Sequence, residues 1–159
     1  MRAKFVFEKF SEEGDPIQDM GIGSIALIHQ WFRTWAPDAK YTIDDNLNII
    51  VKYSLDLYGT QITKLPDNLR VGGSLYLQVT PITKLPDNLS VGGWLDLQGT
   101  QITELPDNLS VGGFLNLQGT QITKLPDNLS VGRDLDLEGT QITKLPKSLK
   151  VGGEIYKDF

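Results

Sequence analysis

The feature that most constrains this chain is a 20-residue segment that returns five times. Apolar residues recur in two registers that are two positions apart. The first register holds Leu55, Leu75, Leu95, Leu115, Leu135 and Ile155, and the second holds Leu57, Leu77, Leu97, Leu117 and Leu137. A fixed period of 20 to 50 residues is typical of architectures in which each repeat stacks on the next. The sequence therefore predicts a solenoid.

Within one copy, the alternation of residue types predicts a strand over residues 74–78, with Leu75 and Leu77 facing the core. The chain then returns in an extended path, because Pro86 fixes φ and has no N–H to donate. Gly92-Gly93 is expected to allow a tight turn into the next strand. The predicted fold class is a β-rich solenoid with parallel strands on one face and an extended opposite side.

The repeat resembles the leucine-rich repeat, whose core L-x-L-x-x-N-x-L corresponds here to Leu75-x-Leu77-x-x-Thr80-x-Ile82. Threonine stands where the family usually carries asparagine. The short period and the Leu-Pro pair in every copy resemble the bacterial subclass, which includes secreted effectors with ubiquitin-ligase domains. The resemblance covers about residues 45–159. It implies a binding scaffold with its parallel strands on a concave face and an extended convex side.

Residues 1–53 lack the repeat register and are predicted to form an N-terminal cap, while residues 54–159 form five repeats and a partial terminal strand. Apolar residues at spacings of three and four predict one amphipathic helix over residues 24–36, with Ser24 as N-cap and Pro37 as the stop. These apolar residues are Ile25, Ile28, Trp31, Phe32 and Trp35. Because a solenoid needs its open end covered, the helix face is interpreted as the cap. A docking surface for a partner is the alternative.

Two shorter patterns lie before the repeats. Residues 45–49 echo residues 67–71, which predicts a degenerate half-repeat followed by two extra residues before Leu55. The stretch at residues 15–23 is similar to the starts of some bacteriophage repeat proteins. A bacterial or phage origin is therefore expected.

A threonine column follows the second strand register in every copy. Its members are Thr60, Thr80, Thr100, Thr120 and Thr140. A buried hydroxyl both donates and accepts, so the prediction is a ladder in which each threonine bonds its own turn and the next one. The alternative is that threonine simply suits a β-turn corner.

The copies differ mainly at three outward columns of the predicted strands. The first column reads Ser54, Ser74, Trp94, Phe114, Asp134, Glu154; the second reads Asp56, Tyr76, Asp96, Asn116, Asp136, Tyr156; the third reads Tyr58, Gln78, Gln98, Gln118, Glu138, Asp158. Because parallel strands lie ~4.8 Å apart, Trp94 and Phe114 are predicted to lie side by side and exposed, with Tyr76 beside them. The differences therefore collect on one face.

An exposed aromatic pair beside carboxylates is typical of a binding hot spot, here for a protein or peptide with a basic patch. The predicted partner-binding residues are Tyr58, Tyr76, Trp94, Asp96, Phe114, Asn116, Asp134, Asp136 and Glu138. The alternative is that the aromatic side chains shield the strand backbone and the acidic ones only maintain solubility.

The amino-acid composition limits the kinds of partner and the cellular compartment that are expected. The net charge of −5 and the pI of about 4.8 disfavour a nucleic-acid partner. The absence of cysteine removes disulfides, thiolate metal sites and a cysteine nucleophile, and it suits a reducing compartment. No apolar run is long enough for a signal peptide or a membrane span. A cytoplasmic protein is expected, with a non-classical secretion signal left open.

No catalytic set, metal site or cofactor is predicted. His29 is the only histidine and lies in the predicted cap helix without a serine–carboxylate constellation. Asp96, Asp136 and Glu138 offer carboxylates for glycoside hydrolysis, but a shallow face would exclude water poorly. The cysteine-bearing ligase domain of the related effectors is absent. The chain is therefore expected not to be an enzyme.

Two functional classes follow. The first is a monomeric interaction module that binds a protein or peptide on its aromatic and acidic face, in one variant as an inhibitor of a cellular enzyme. The second is a structural protein that self-associates through the open strand edge at Ile155. Lys147, Lys150 and Lys157 near that end are typical of edge protection and argue against the second class.

Overall fold

A computed structural model describes residues 25–159, which form a parallel β-solenoid of about five turns with one short helix, α1, at Ile25–Trp35. The predicted solenoid class is therefore confirmed. The N-cap prediction for Ser24 and the similarity at residues 15–23 lie outside the described residues.

Two sheets run along the solenoid. The first has seven strands: β1 Tyr41–Ile43, β2 Ile49–Val51, β4 Leu69–Val71, β6 Ser90–Val91, β8 Ser110–Val111, β10 Ser130–Val131 and β12 Lys150–Val151. The second has six: β3 Leu55–Asp56, β5 Leu75–Tyr76, β7 Leu95–Asp96, β9 Leu115–Asn116, β11 Leu135–Asp136 and β13 Ile155–Tyr156. Every pair is parallel except β1 with β2.

The sequence predicts one strand in each copy, whereas the structure has two. Only Leu75–Tyr76 of the predicted 74–78 strand is assigned as strand, although Leu77 N–H still donates to the carbonyl of Asp96 at 2.9 Å. The second strand, Ser90–Val91, lies in the predicted return path. In stacked coils, each residue lies beside its equivalent in the neighbouring coil. Backbone hydrogen bonds between coils therefore form wherever the chain is extended.

The core is a set of aliphatic columns between the two sheets. Leu75 and Leu77 are fully buried, as are Leu89 and Val91 on the opposite sheet. Equivalent residues in neighbouring coils pair directly, for example Leu75 with Leu95. Each coil therefore completes the core of the next, which is why the array rather than the single repeat is the unit of stability.

Two glycine columns have different physical reasons. The corner glycines Gly59, Gly99, Gly119 and Gly139 have φ between 66° and 68°, which only glycine adopts readily. The first glycine of the predicted tight turn is required by close approach instead: a Cβ on Gly92 would lie 2.3 Å from the carbonyl oxygen of Gly72, whereas Arg133 replaces the second glycine in a later coil. Gly92 is not among the residues with positive φ.

The register of the half-repeat differs from the sequence echo. That echo aligns Leu47 with Leu69, but the structure pairs Ile49 with Leu69 and Val51 with Val71. Leu47 instead occupies the turn between β1 and β2 with φ at 61°. The spacing between coils is therefore 20 residues from β2 onward, without the two inserted residues, because Ile49 and Val51 supply the buried pair.

The helix covers the first coil. Ile28, Trp31 and Phe32 of α1 are each 1% exposed and belong to the same core as the strands. Trp31 Nε1 donates a hydrogen bond to the carbonyl of Lys64 at 3.2 Å. The ring of Tyr41 stacks on Phe32, with the centroids 3.8 Å apart. Three of the five predicted apolar residues thus cover the first coil as a cap, whereas Ile25 is 37% exposed and Trp35 is half-buried.

The turn between β1 and β2 is held by Asp44. Its carboxylate accepts hydrogen bonds from the N–H groups of Asn46 and Asn48 at 2.9 Å and from the side-chain amide of Asn48 at 2.8 Å. The bond from the Asn48 side chain is the largest cause that lowers the pKa of this carboxyl. The resulting stabilisation is present above the usual carboxyl pKa and is lost as pH falls through the lowered one.

We therefore expect Asp44→Ala to lower the melting temperature at pH 7, and the difference from wild type to shrink below about pH 4. Thermal unfolding followed by circular dichroism across this pH range measures both effects. Asp45→Ala changes the exposed neighbour and is the matched control. An equal loss in the two variants, or a difference that stays constant with pH, would contradict this role for Asp44.

The threonine column bonds within each coil. The hydroxyl of Thr80 donates to the carbonyl of Leu77 at 2.7 Å, and the Thr80 N–H donates to the same carbonyl. Thr60, Thr100, Thr120 and Thr140 repeat this hydroxyl bond at 2.6 to 2.8 Å. The bond to the next coil, which the ladder prediction requires, is not among those made by these hydroxyls. Each threonine instead closes its own corner, as the alternative proposed.

Candidate functional site

The six-stranded face is the outward surface of the six-stranded sheet. It includes the outward side chains of residues directly before and after each strand. Leu75 and Leu77 point into the core, so the positions on either side of them point away from it. All three variable columns of the sequence therefore lie on this face, which carries seven carboxylates and no lysine or arginine within those columns.

Polar residues of the first column hold the neighbouring coil. Ser54 Oγ accepts a hydrogen bond from the N–H of Ser74 at 2.9 Å, and Ser74 Oγ accepts one from Trp94 N–H at 2.9 Å. Asp134 Oδ1 accepts the N–H of Glu154 at 2.9 Å. A short side chain with an acceptor oxygen at this column therefore satisfies a backbone donor one coil further on.

Trp94 and Phe114 interrupt this pattern. Neither side chain has an acceptor oxygen, so the N–H groups of Phe114 and Asp134 lack the side-chain acceptor that their counterparts have. The two rings meet edge to face with centroids 5.9 Å apart and an interplanar angle of 86°. Trp94 remains 49% exposed, and Phe114 is half-buried. The aromatic pair thus replaces hydrogen-bonding residues and leaves apolar surface in solvent.

The indole of Trp94 lies against the next coil. A Cβ on Gly113 would lie 2.6 Å from Trp94 Cδ1, so the ring covers a position that has no side chain. At the equivalent position of the following coil the chain carries Arg133. The packing against Gly113 and Phe114 fixes the ring and leaves part of its surface exposed.

Acidic and amide side chains of the second column close Asx turns. In each case Oδ1 accepts the N–H of the residue two positions on, at 2.9 to 3.1 Å. The pairs are Asp56 with Tyr58, Asp96 with Gln98, Asn116 with Gln118, and Asp136 with Glu138. This structural role was not predicted from the sequence, although Asp or Asn recurs two residues before the third column.

The third column is polar and partly paired. Gln98 Nε2 donates to Gln118 Oε1 at 2.7 Å, and Asp158 Oδ2 accepts the N–H of Gly139 at 2.7 Å. Gln78 differs, because its Oε1 is buried and has no hydrogen-bond partner within the described part of the chain. A buried acceptor without a partner is costly, so the coil that holds Gln78 departs from the regular pattern.

The same coil carries a strained corner. Val79 has φ at 59°, where four other coils have glycine, and its side chain is 63% exposed. Tyr76 stands where the other inner coils have Asp or Asn, so the N–H of Gln78 has no Asx acceptor. A β-branched residue in the left-handed region is a genuine outlier. Strain of this kind is often found at functional sites.

We expect Val79→Gly to stabilise the protein by about 1 kcal/mol. Removing the side chain relieves a left-handed strain of roughly 1–2 kcal/mol and adds about 0.5–1 kcal/mol of chain entropy in the unfolded state. Urea unfolding measures the change. Gly119→Val makes the reverse substitution in another coil and is expected to lose about 1 kcal/mol by the same two opposing terms. A stable Gly119→Val, or a Val79→Gly that loses stability, would contradict the strain.

The structure places the predicted partner-binding residues on the six-stranded face but not at one point. Trp94 and Phe114 are in direct contact, whereas Tyr76 is half-buried and pairs in register with Asp96. Tyr58 is 64% exposed and belongs to the first coil. The remaining predicted residues differ in accessibility: Asn116 is buried, Asp96, Asp134 and Asp136 are half-buried, and Glu138 is exposed.

Residues 25–159 offer few other features that point to a function. Nδ1 of His29 lies 2.6 Å from the hydroxyl of Tyr41 on the exposed side of α1. Among residues 25–159 there is no group of three or more side chains that could hold a metal ion. Nor does this part of the chain contain a helix long and apolar enough to cross a membrane.

No protein-family model, curated protein or solved structure matches the chain.

Proposed function

We propose that this protein is an interaction module that binds a protein or peptide partner on the six-stranded face, centred on Trp94 and Phe114. The observation that carries the proposal is the aromatic pair itself. At a column where serine and aspartate hydrogen-bond the next coil, two large rings stand instead, and Trp94 remains 49% exposed. A residue pattern that departs from a local structural rule is typical of a functional site.

The surroundings of the pair support a hot spot. Aromatic residues, tryptophan above all, dominate the binding energy of protein interfaces when a partner removes them from water. The half-buried carboxylates of Asp96, Asp134 and Asp136 lie on the same coils or on the next ones. They favour a partner with positive charge and add specificity and association rate.

The test replaces the exposed ring with the residue of the neighbouring coils. Trp94→Ser restores a hydroxyl able to accept the Phe114 N–H, as Ser74 does for Trp94 itself. The lost ring burial and the gained hydrogen bond offset each other, so we expect the stability to change by no more than about 1 kcal/mol. Binding to the partner should fall at least about tenfold.

Affinity capture from a lysate of the cells that encode the protein, with wild type and Trp94→Ser compared, identifies the partner. The captured protein is then purified and its Kd is measured against both forms by calorimetry. Asp56→Asn changes the same face two coils away from Asp96 and keeps its Asx bond, so it controls for general loss of charge. Equal capture and equal Kd for Trp94→Ser and wild type would refute the aromatic site.

We propose further that the solenoid is of the bacterial leucine-rich repeat kind, from a bacterium or a phage, and is cytoplasmic. The parallel strands at Leu75–Tyr76 and the 20-residue period support this kinship, whereas Thr80 departs from the asparagine usual in the family. In that family the strand face is concave, which suits capture of a partner. If the captured protein is an enzyme, an assay of its activity with and without this chain tests the inhibitor variant.

A second candidate is self-association through the last coil. Leu145, Leu149, Val151 and Ile155 are only partly buried, whereas their equivalents one coil earlier are buried. An open strand with partly exposed apolar residues is a site for pairing with another copy. Sedimentation velocity over a hundredfold range of concentration tests it, and a monomer at every concentration would exclude it.

A further inference from the structure

We propose that the group recognised beside Trp94 is an arginine side chain of the partner, in preference to lysine. This inference rests on the proposed function and names the chemistry that the six-stranded face takes. It follows from three features of the face: a prepared carboxylate oxygen on the coil of Trp94 and another on the coil after Phe114, the exposed indole, and the absence of positive charge in the outward columns.

The carboxylate oxygens are fixed in direction. Asp96 Oδ1 is held by the N–H of Gln98 at 3.1 Å, and Asp136 Oδ1 is held by the N–H of Glu138 at 2.9 Å. One oxygen of each carboxylate is therefore committed to the fold, which leaves Oδ2 as an oriented acceptor. An acceptor held by the scaffold loses little conformational freedom when it binds, so its interaction with a cation is strengthened.

A neutral residue, Asn116, separates these two carboxylates. Asn116 pairs in register with Asp96 on one side and with Asp136 on the other, and it makes the same turn with Gln118. An aspartate there would place three carboxylates in adjacent coils, ~4.8 Å apart. The amide keeps the turn without that repulsion and leaves two separated acidic positions around Phe114.

The aromatic ring decides between the two basic side chains. A guanidinium group is planar and weakly hydrated, so it stacks on an indole face while its N–H groups donate to a carboxylate. A lysine ammonium is compact and strongly hydrated, and it forms no comparable stack. Trp94 is half exposed and held edge to face by Phe114, which provides a fixed surface for a planar cation.

Charge complementarity completes the case. The three outward columns hold seven carboxylates and neither lysine nor arginine. The Asp96, Asp134 and Asp136 side chains are half-buried, so their charges are screened by salt less than those of fully exposed groups. A positively charged segment is therefore drawn to this face, and the aromatic pair selects the arginine within it.

The test uses three capped peptides that differ in one side chain: acetyl-Gly-Arg-Gly-amide, its lysine analogue, and its citrulline analogue, which is shaped like arginine but carries no charge. Each is titrated into the full 15N-labelled chain, and the indole N–H of Trp94 is followed by NMR. We expect the arginine peptide to bind about fivefold to tenfold more tightly than the lysine peptide, and the citrulline peptide to give no saturable shift.

Matched variants locate the contact. Asp96→Asn keeps an Oδ1 for the turn, as Asn116 does, but removes the charge on the coil of Trp94; it is expected to weaken the arginine peptide at least about threefold. Asp56→Asn makes the same change two coils away and should leave the affinity unchanged. Equal affinity for arginine and lysine, or an equal effect of the two variants, would overturn the proposal.

These outcomes are separable from the fate of the proposed function. If Trp94→Ser loses the captured partner while the arginine and lysine peptides bind alike, the interaction face stands and arginine selection is wrong. If the arginine peptide shifts the Trp94 indole but the captured partner binds Trp94→Ser as well as wild type, the site chemistry stands and its assigned function fails.

Discussion

Gly112→Ala is expected to destabilise the protein by about 3 kcal/mol, more than most single-methyl additions. A Cβ at this position would lie 2.2 Å from the carbonyl oxygen of Gly92 and 3.0 Å from its carbonyl carbon. Both atoms are backbone of the preceding coil, so no side chain can move aside and the coils themselves must separate. Forced overpacking of this kind costs about 1–3 kcal/mol, and more where the backbone cannot shift.

The same coil offers the control. Gly119→Ala adds the same methyl group where nothing lies within 4 Å, and it meets only the positive φ of 68°. That costs roughly 1–2 kcal/mol. Urea unfolding of both variants separates close approach from backbone strain. If Gly119→Ala loses as much stability as Gly112→Ala, contact between coils is not what requires glycine at position 112.

The first coil carries a side chain at the position that is glycine in the later coils. Lys52 occupies the place in the first coil that Gly72 occupies in the next, since a Cβ on Gly72 would meet the Lys52 carbonyl oxygen at 2.7 Å. Lys52 precedes the stack of equivalent turns, and its own N–H donates to Lys40 instead. Glycine is therefore required where an equivalent coil lies directly behind, and a side chain is accepted where none does.

Trp31→Ala is expected to cost about 3–5 kcal/mol, the range for truncating a buried aromatic residue. Trp31 is 1% exposed, packs edge to face on Phe32 with centroids 5.0 Å apart, and donates to the Lys64 carbonyl. Its loss opens the end of the solenoid core. Because stability in such arrays depends on each interface, the loss should appear in the unfolding of the whole array.

Two further variants interpret that result. Trp31→Phe keeps a ring in the core but removes the hydrogen bond to Lys64, and should lose less than half as much stability. Thr34→Ala changes an exposed position of the same helix and should lose little. Denaturant unfolding followed by fluorescence and by circular dichroism measures all three. A Trp31→Ala protein as stable as Thr34→Ala would show that the helix is not the cap.

The stacking of the coils was predictable from the sequence, whereas the second sheet and the register of the first coil were not. The leucine registers predicted the stacking and the contact of Trp94 with Phe114, because both follow from a fixed offset of 20 residues. The second sheet was missed, since Ser90–Val91 is too short to show alternation. The half-repeat was misaligned, because the similarity of residues 45–49 to residues 67–71 is a match of letters rather than of strand pairing.

The common face of the candidate site residues was predictable from the sequence, whereas their hydrogen bonds were not. The sequence predicts Asp96 and Asp136 as partner-binding carboxylates, but it does not reveal that one oxygen of each accepts the N–H of a turn. For this reason asparagine is the substitution that removes the charge while keeping the turn, as Asn116 shows. The strain at Val79 likewise depends on its φ of 59°, which only the coordinates supply.

The amino-acid sequence by itself determined the solenoid, its period and the face on which the copies differ, because repetition at a constant interval brings equal positions together whatever the local geometry. Only the tertiary structure decided which oxygens of that face remain available and why Gly112 cannot carry a side chain. Both depend on distances of a few ångströms between neighbouring coils. Such distances are set by how the coils stack and are not encoded in the spacing of residues along the chain.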